Sequence, residues 1–421
     1  MKSSRLRIIV TGLIAQHPCL GGVAWDYLQY VLGLRRLGHD VYYVEDSGQW
    51  PYTPDGGASG TEWIAYDCTA NVDHLARIMA RFGLSDRWAY HFPIKSRWFG
   101  LSHMQRRAVI TSADLLINVS GTLRRPADYR RVNRLVYIDS DPVFTQIKLV
   151  RPRGHVKFRK RVNAHDRYFT FGECFSPAVP DTGHRWRPTR QPIVLSEWRH
   201  STVPREVFTT VMSWTSYRPL TYAGRTYGQK DIELRRFVEL PARVRPAVLE
   251  VALNRTEHAD WEADARASCP DAGDGPRPAT GQLLSAMGWR VADAARVCRD
   301  LDSYRDYILS SKAEWSVAKN GYVRGHAGWF SCRSACYLAA SRPVVVQDTG
   351  FSDVLPVGEG LLTFRTMEEA VAAIQEVEGD YDRHAKAARA IADEYFDSDK
   401  VLTRLIEEAG SGDGDPVPRH D

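Results

Sequence analysis

The 421-residue chain has no run of about 18 uninterrupted apolar residues, so no segment reads as a membrane span. Its start lacks the long apolar core of a secretory leader. After a basic opening, only Leu6 to Leu13 is apolar, and that stretch reads as a first strand. Cys-x-x-Cys pairs are missing too. The seven cysteines are odd in number and scattered, which fits reduced thiols in a cytoplasmic protein better than a disulfide framework. Cys332 and Cys336 lie four apart without a histidine or second pair at zinc spacing, so no metal is expected. Net charge is small: 56 basic against 51 acidic residues leave +5, which argues against a nucleic-acid polymer as partner. The basic run Arg151 to Arg161 reads as a solvated surface loop. Neither G-x-G-x-x-G nor a Walker loop follows the first strand, so the usual dinucleotide and P-loop fingerprints are absent.

What is present is an alternation of strands and helices. Hydrophobic residues at 43% and charged residues at 25% describe a soluble globular chain, and its length calls for two domains. Leu6 to Leu13 as strand, Gly21-Gly22 as a flexible loop, Val23 to Leu37 as helix and Asp40 to Asp46 as strand make a βαβ unit. That unit forces parallel pairing. Further strands are expected at 114–120, 134–139 and 168–171, and a proline-, arginine- and tryptophan-rich connection at 186–206. A second alternation then runs from Phe208, with strands near 247–253, 313–317 and 343–347, helices at 301–310, 333–340 and 367–377, and a loop at 269–278. The fold class predicted is α/β, two Rossmann-like doubly wound domains facing across a cleft. The expected organisation is one such domain at 1–195 and a second at 196–385. C-terminal helices at 386–409 would pack back on the first domain, ahead of a disordered tail at 410–421.

Three motifs carry a resemblance. Leu220-Thr-Tyr-Ala-Gly-Arg-Thr-Tyr-Gly-Gln-Lys-Asp231 pairs Gly-Arg with a later Lys-Asp. Ser341-Arg-Pro-Val-Val-Val-Gln-Asp-Thr-Gly-Phe351 is followed by Val357-Gly-Glu-Gly-Leu-Leu-Thr-Phe364, and His326-Ala-Gly-Trp-Phe-Ser331 lies just upstream. Together they resemble GT-B glycosyltransferases, the second motif being similar to the retaining GT-B pattern and the third to the natural-product enzymes. The resemblance implies that Gly224, Arg225 and Lys230 grip a donor diphosphate, with His326, Gly328, Ser331, Ser334 and Asp348 around it and Lys319 within reach. It also places Trp289 and Arg290 where the nucleotide base is held. A diphosphate that leaves with growing negative charge needs fixed cations where no metal serves, and a helix N-terminus attracts phosphate. The glutamate that usually binds the donor ribose falls at Cys336 or Ser334, and neither is acidic.

On the acceptor side, Gly21, Gly22, Ser120, Asp139, Asp141 and Glu173 are the expected contacts. His17 is the expected base, with Asp26 to orient it or to act in its place. The function implied is transfer of a hexose from a UDP- or dTDP-sugar, UDP-glucose favoured, to a hydroxyl of a small acceptor such as a nucleoside, aminoglycoside or other natural product. The alternatives are a polysaccharide or cell-envelope glycosyltransferase, or an inactive sugar-nucleotide-binding protein. No cofactor is expected beyond the donor, and the motifs leave retention and inversion both open.

Overall fold

The computed structural model describes residues 5–53, 64–151, 154–199, 203–254, 280–412 and 415. The loop expected at 269–278 lies outside the described residues.

The first sheet follows from short, β-branched apolar runs. It is built from β1 (Arg7–Thr11), β2 (Asp40–Glu45), β3 (Trp88–Phe92), β4 (Arg97–Gly100), β5 (Leu115–Val119), β6 (Arg134–Asp139), β7 (Arg167–Thr170) and β8 (Trp186–Pro188). Their order across the sheet is β4-β3-β2-β1-β5-β6-β7-β8. Only β4 runs antiparallel, pairing Ala89 with Gly100. Ile8 pairs with Val41 on one side and with Leu115 on the other. The chain therefore reverses its direction of winding between β1 and β5, and an open crevice forms at their carboxyl ends.

The second sheet starts with β9 (Phe208–Ser213). A small antiparallel hairpin, β10 (Leu220–Tyr222) and β11 (Arg225–Tyr227), follows before the sheet resumes with β12 (Leu249–Asn254). β13 (Arg290–Asp293), β14 (Ala313–Ser316), β15 (Val344–Gln347) and β16 (Leu361–Phe364) complete it, in the order β13-β12-β9-β14-β15-β16, all parallel. Here the reversal falls between β9 and β14. The two crevices face one another, which makes the fold the expected pair of Rossmann-like domains.

Packing between the domains is close. Trp25, on the first helix Gly21–Arg36, donates from Nε1 to the Leu301 carbonyl at 2.9 Å. Its ring lies 5.4 Å from that of Trp198. Phe144 and Val143 of the first domain share an apolar cluster with Tyr227 and Tyr322 of the second. The two places where the chain crosses between domains are stitched together: Ile193 N–H donates to Phe396 O at 2.7 Å, and Ser398 N–H to Ile193 O at 2.9 Å.

The C-terminal helices expected at 386–409 are Tyr381–Tyr395 and Ser398–Gly410. The second piece lies against the first helix, where a Cβ on Gly33 would sit 2.5 Å from Leu402 Cδ1. Asp415, within the stretch expected to form a disordered tail, is paired with Arg187, with Nη2 and Oδ1 3.0 Å apart.

Candidate functional site

The crevice of the second domain centres on the helix Cys332–Ala339. Ser331 is its N-cap, yet no side chain supplies a capping hydrogen bond, so the first-turn amides point outward unmet by a cap. A pocket opens there, lined by Ser316, Ala318, Ser331, Arg333, Ser334 and Thr349. The Ser334 hydroxyl is fully buried and has no hydrogen-bond partner among the described residues, which in a settled protein interior is rare. Arg333 is anchored on three sides. Its Nε donates to Glu314 Oε1 at 2.5 Å, Nη1 to Val211 O at 2.6 Å and Nη2 to Ser316 Oγ at 2.8 Å. Glu314 has no exposed surface, so the guanidinium is fixed in place by a buried partner.

Lys230 begins the short helix Lys230–Leu234. Burial pushes its ammonium well below the usual lysine range, and the charges of Arg333 and Lys319 push it further, against a smaller pull from Glu314. Among the described residues its Nζ has no hydrogen bond and no ion pair. Lys319 lies 2.9 Å from Asp141 of the opposite domain and 4.6 Å above the Tyr217 ring. Lys230 thus lies within electrostatic reach of Arg333, at the start of the Cys332–Ala339 helix, and of Lys319, and among the described residues it alone of the three has no ion pair. An anion bound there relieves their repulsion and meets free amides as well.

Across the crevice, the loop after β1 is shaped by Glu45, at the end of β2. That carboxylate is buried and accepts from Ala15 N at 2.8 Å, Gln16 N at 2.7 Å and the Tyr43 hydroxyl at 2.8 Å. Burial raises its pKa to about 7 even with these bonds holding it down. His17 projects from the same loop and stacks on Tyr52, ring centroids 4.8 Å apart. Burial lowers its pKa to about 4, so the ring is neutral at physiological pH. Asp26 is partly buried on the first helix, and among the described residues its carboxylate accepts no hydrogen bond. Burial raises it to about 7, against the opposing pull of Arg333. Asp26 therefore lies within electrostatic reach of Arg333 of the other domain. No hydrogen bond joins it to His17, so the orienting role expected for it is not what the structure shows.

The other acceptor-side candidates divide. Ser120 is exposed at the end of β5, its hydroxyl 2.6 Å from that of Ser140. Asp141 receives Lys319, Tyr217 and Tyr322 from the second domain, and these cations and hydroxyls, with Lys148, outweigh burial and hold its pKa low. Asp139 is fully buried and satisfied by Asp141 N, Thr145, Gln146 and Thr170, so it builds the loop and leaves nothing for a ligand. Glu173 is paired with Arg190 at 2.5 and 2.8 Å. Gly21 and Gly22 are not a flexible loop: they open the first helix. A Cβ on Gly21 would overlap the Asp300 carbonyl, and one on Gly22 would lie 2.9 Å from the Tyr304 ring, so both glycines serve the interdomain contact.

On the donor side, several motif residues fall away from the pocket. Ala223 and Gly224 both have positive φ and form the tight turn between β10 and β11, which leaves Arg225 exposed on the hairpin. Trp289 is 4% exposed, bonded through Nε1 to Val238 O at 2.9 Å and packed on Trp315, so it is core. Arg290 starts β13, at the amino end of the sheet and away from the crevice. His326 is 3.0 Å from Asp353, and its ring fills the space over Gly350. Gly328 lets the loop approach Cys174 N of the first domain. The Asp348 carboxylate is taken up by Gly350 N, Ser352 and Arg365. Lys230, Lys319, Ser331 and Ser334 are therefore the donor-side candidates that the fold brings together. Arg333, Glu314 and Glu45 were missed. Their partners lie in other elements, and the sequence around Arg333 reads only as a charge near a helix start.

No protein-family model matches the chain, and no curated protein matches it in sequence. Solved structures do match. An "alpha-glucosyltransferase (AGT) in complex with UDP" superposes with a TM-score of 0.55 at 12% identity, covering 96% of this chain and 100% of that one. An "alpha-glucosyltransferase in complex with UDP-glucose and DNA containing an abasic site" gives 0.56 at 13%, covering 97% and 100%. Anabaena Alr3699/HepE in complex with UDP-glucose gives 0.55 at 13%, covering 96% and 99%. At such identities the likeness is one of architecture, and it extends over nearly the whole chain: the fold is GT-B.

Proposed function

We propose that the chain is a glycosyltransferase that moves a hexosyl group from a nucleoside diphosphate sugar, UDP-glucose favoured, to an acceptor hydroxyl. The observation that carries this reading is the Lys230 amine, without a partner among the described residues and within electrostatic reach of Lys319 and of Arg333, which stands at the helix start that also holds the unpartnered Ser334 hydroxyl. Such a cluster fits the charge that develops on a departing diphosphate. UDP and UDP-glucose in the matching enzymes support the choice of donor.

In the reaction, the acceptor oxygen bonds to the anomeric carbon as the bond from that carbon to the diphosphate oxygen breaks. The negative charge gathers on UDP, where Lys230, Arg333 and the helix amides receive it. The acceptor proton passes to Asp26, whose affinity near pH 7 suits a base. Neutral His17 is the second candidate for that proton. The acceptor hydroxyl comes from the side of the first domain, on a small natural product or at a saccharide end.

Lys230→Ala should weaken UDP binding by about 1.5–3 kcal/mol in calorimetry, the scale of a charged hydrogen bond. Unchanged affinity in a folded variant would sink the donor site. Because fixed cations fill the neutralising role, turnover should survive EDTA. Loss that magnesium or manganese restores would refute the assignment.

A further inference from the structure

The small net charge conceals a division. Residues 1–195 hold 28 lysines and arginines against 16 aspartates and glutamates, a net +12, whereas residues 196–421 hold 28 against 35, a net −7. The donor itself is anionic, yet the acidic half is the one that binds it, through a few local cations. The excess of positive charge lies on the half that faces the acceptor.

Part of that excess sits at the carboxyl ends of the first sheet. Arg124 and Arg125 follow β5 and are exposed, with no ion pair to any described residue. Arg124 is held in position: its N–H donates to Asp46 O at 2.9 Å, and its side chain lies so close over Gly48 that a Cβ there would overlap it. Gly48 also has a φ of +64°, which favours glycine on conformational grounds. Two residues on, Trp50 is 44% exposed and meets Tyr66, 54% exposed, with ring centroids 5.6 Å apart at 69°. The segment carrying them is tied to the loop that bears His17, through Tyr52 N–H to Gln16 O at 2.9 Å. An exposed aromatic pair and two arginines that pair with no described residue therefore share the rim of the acceptor crevice.

Resting on the donor reading above, we propose that the acceptor is an anionic saccharide, bearing carboxylate, sulfate or phosphate groups. A sugar ring rests on Trp50 and Tyr66, as apolar faces of sugars do on aromatic surfaces. Arg124 and Arg125 meet its charge, and a guanidinium suits a carboxylate or phosphate through paired donors. The wider positive field of the first domain draws such an acceptor in, and salt screens that attraction.

The test uses the full-length protein with UDP-glucose and compares tri-galacturonate with the neutral galactose trimer and with a short DNA duplex. The anionic trimer should show a KM lower by about tenfold, an advantage that shrinks as salt rises. The double variant Arg124→Ala/Arg125→Ala should raise KM for the anionic trimer by about tenfold with kcat unchanged. It should leave the neutral trimer alone. Trp50→Ala should raise KM for both trimers. Equal KM for the two trimers, a double variant without effect, or preference for the duplex would each overturn the proposal. UDP calorimetry on the same samples separates the two readings: intact UDP binding with no acceptor preference condemns the acceptor class alone, whereas absent UDP binding condemns the donor site.

Discussion

Two helices begin at the interdomain crevice, and they treat their free amides in opposite ways. The helix Gly21–Arg36 presses its start into the other domain, where Gly21 N–H donates to Cys298 O at 2.9 Å and the Asp300 backbone leaves no room for a side chain. The helix Cys332–Ala339 starts uncapped, with cations around it and a buried hydroxyl unmatched. Both sit after strands of Rossmann-like sheets, and either could have received a phosphate. One has become a joint between domains and the other keeps its start open to the crevice. Fold alone does not tell them apart; the occupancy of the first-turn amides does.

The sharpest way to test the difference is Asp26, which rides on the plugged helix and faces the open one. Asp26→Asn should lower kcat by about 10²–10⁴-fold with UDP affinity intact. In the wild type, kcat should rise with pH through about 7 as the carboxylate ionises. Near-normal turnover in Asp26→Asn would instead leave the proton to His17 or to the departing phosphate. Stability should move the other way. A carboxyl whose folded pKa lies above its ordinary value contributes stability at low pH that fades as pH climbs toward about 7. The asparagine variant should therefore gain melting temperature relative to wild type at pH 8 and gain none at pH 4.

Breaking the joint comes next. Gly21→Ala should cost about 1–3 kcal/mol of stability, read by denaturant unfolding, because backbone and not a flexible tip must yield. The corresponding change at the open helix, Ser334→Ala, has the smallest expected effect. It should leave the unliganded protein as stable or more so, since an unpartnered buried hydroxyl is removed, and weaken UDP binding by about 0.5–1.5 kcal/mol. A variant destabilised in the absence of UDP would show that Ser334 already has a partner.

Much of the architecture was legible in the sequence because apolar runs such as Ile8-Ile9-Val10 and Val344-Val345-Val346 have few uses outside buried parallel strands. Lys230 was singled out through its motif, and the structure brings it within electrostatic reach of Arg333 and Lys319. Arg225 was misleading, since Gly224-Arg225 before a strand looks the same whether the turn cradles a ligand or closes a hairpin. Asp139 and Asp348 stand at strand ends, where ligand-binding carboxylates also stand, but short-range hydrogen bonds absorb them. The Arg333–Glu314 pair joins a helix to a strand 19 positions earlier in the chain, and no local pattern announces such a partnership.

The stitch between Ile193 and the 396–398 turn has a consequence for how the protein is made. The helix Ser398–Gly410 covers the first helix, and Asp415 pairs with Arg187 beside β8, so the first domain is finished by residues translated after the second domain. On the ribosome, that domain emerges complete in its strands yet with one flank of its opening helix bare. It must wait for more than two hundred further residues before the cover arrives. The order of synthesis and the order of assembly therefore differ, and the second domain is built while the first is still unsealed.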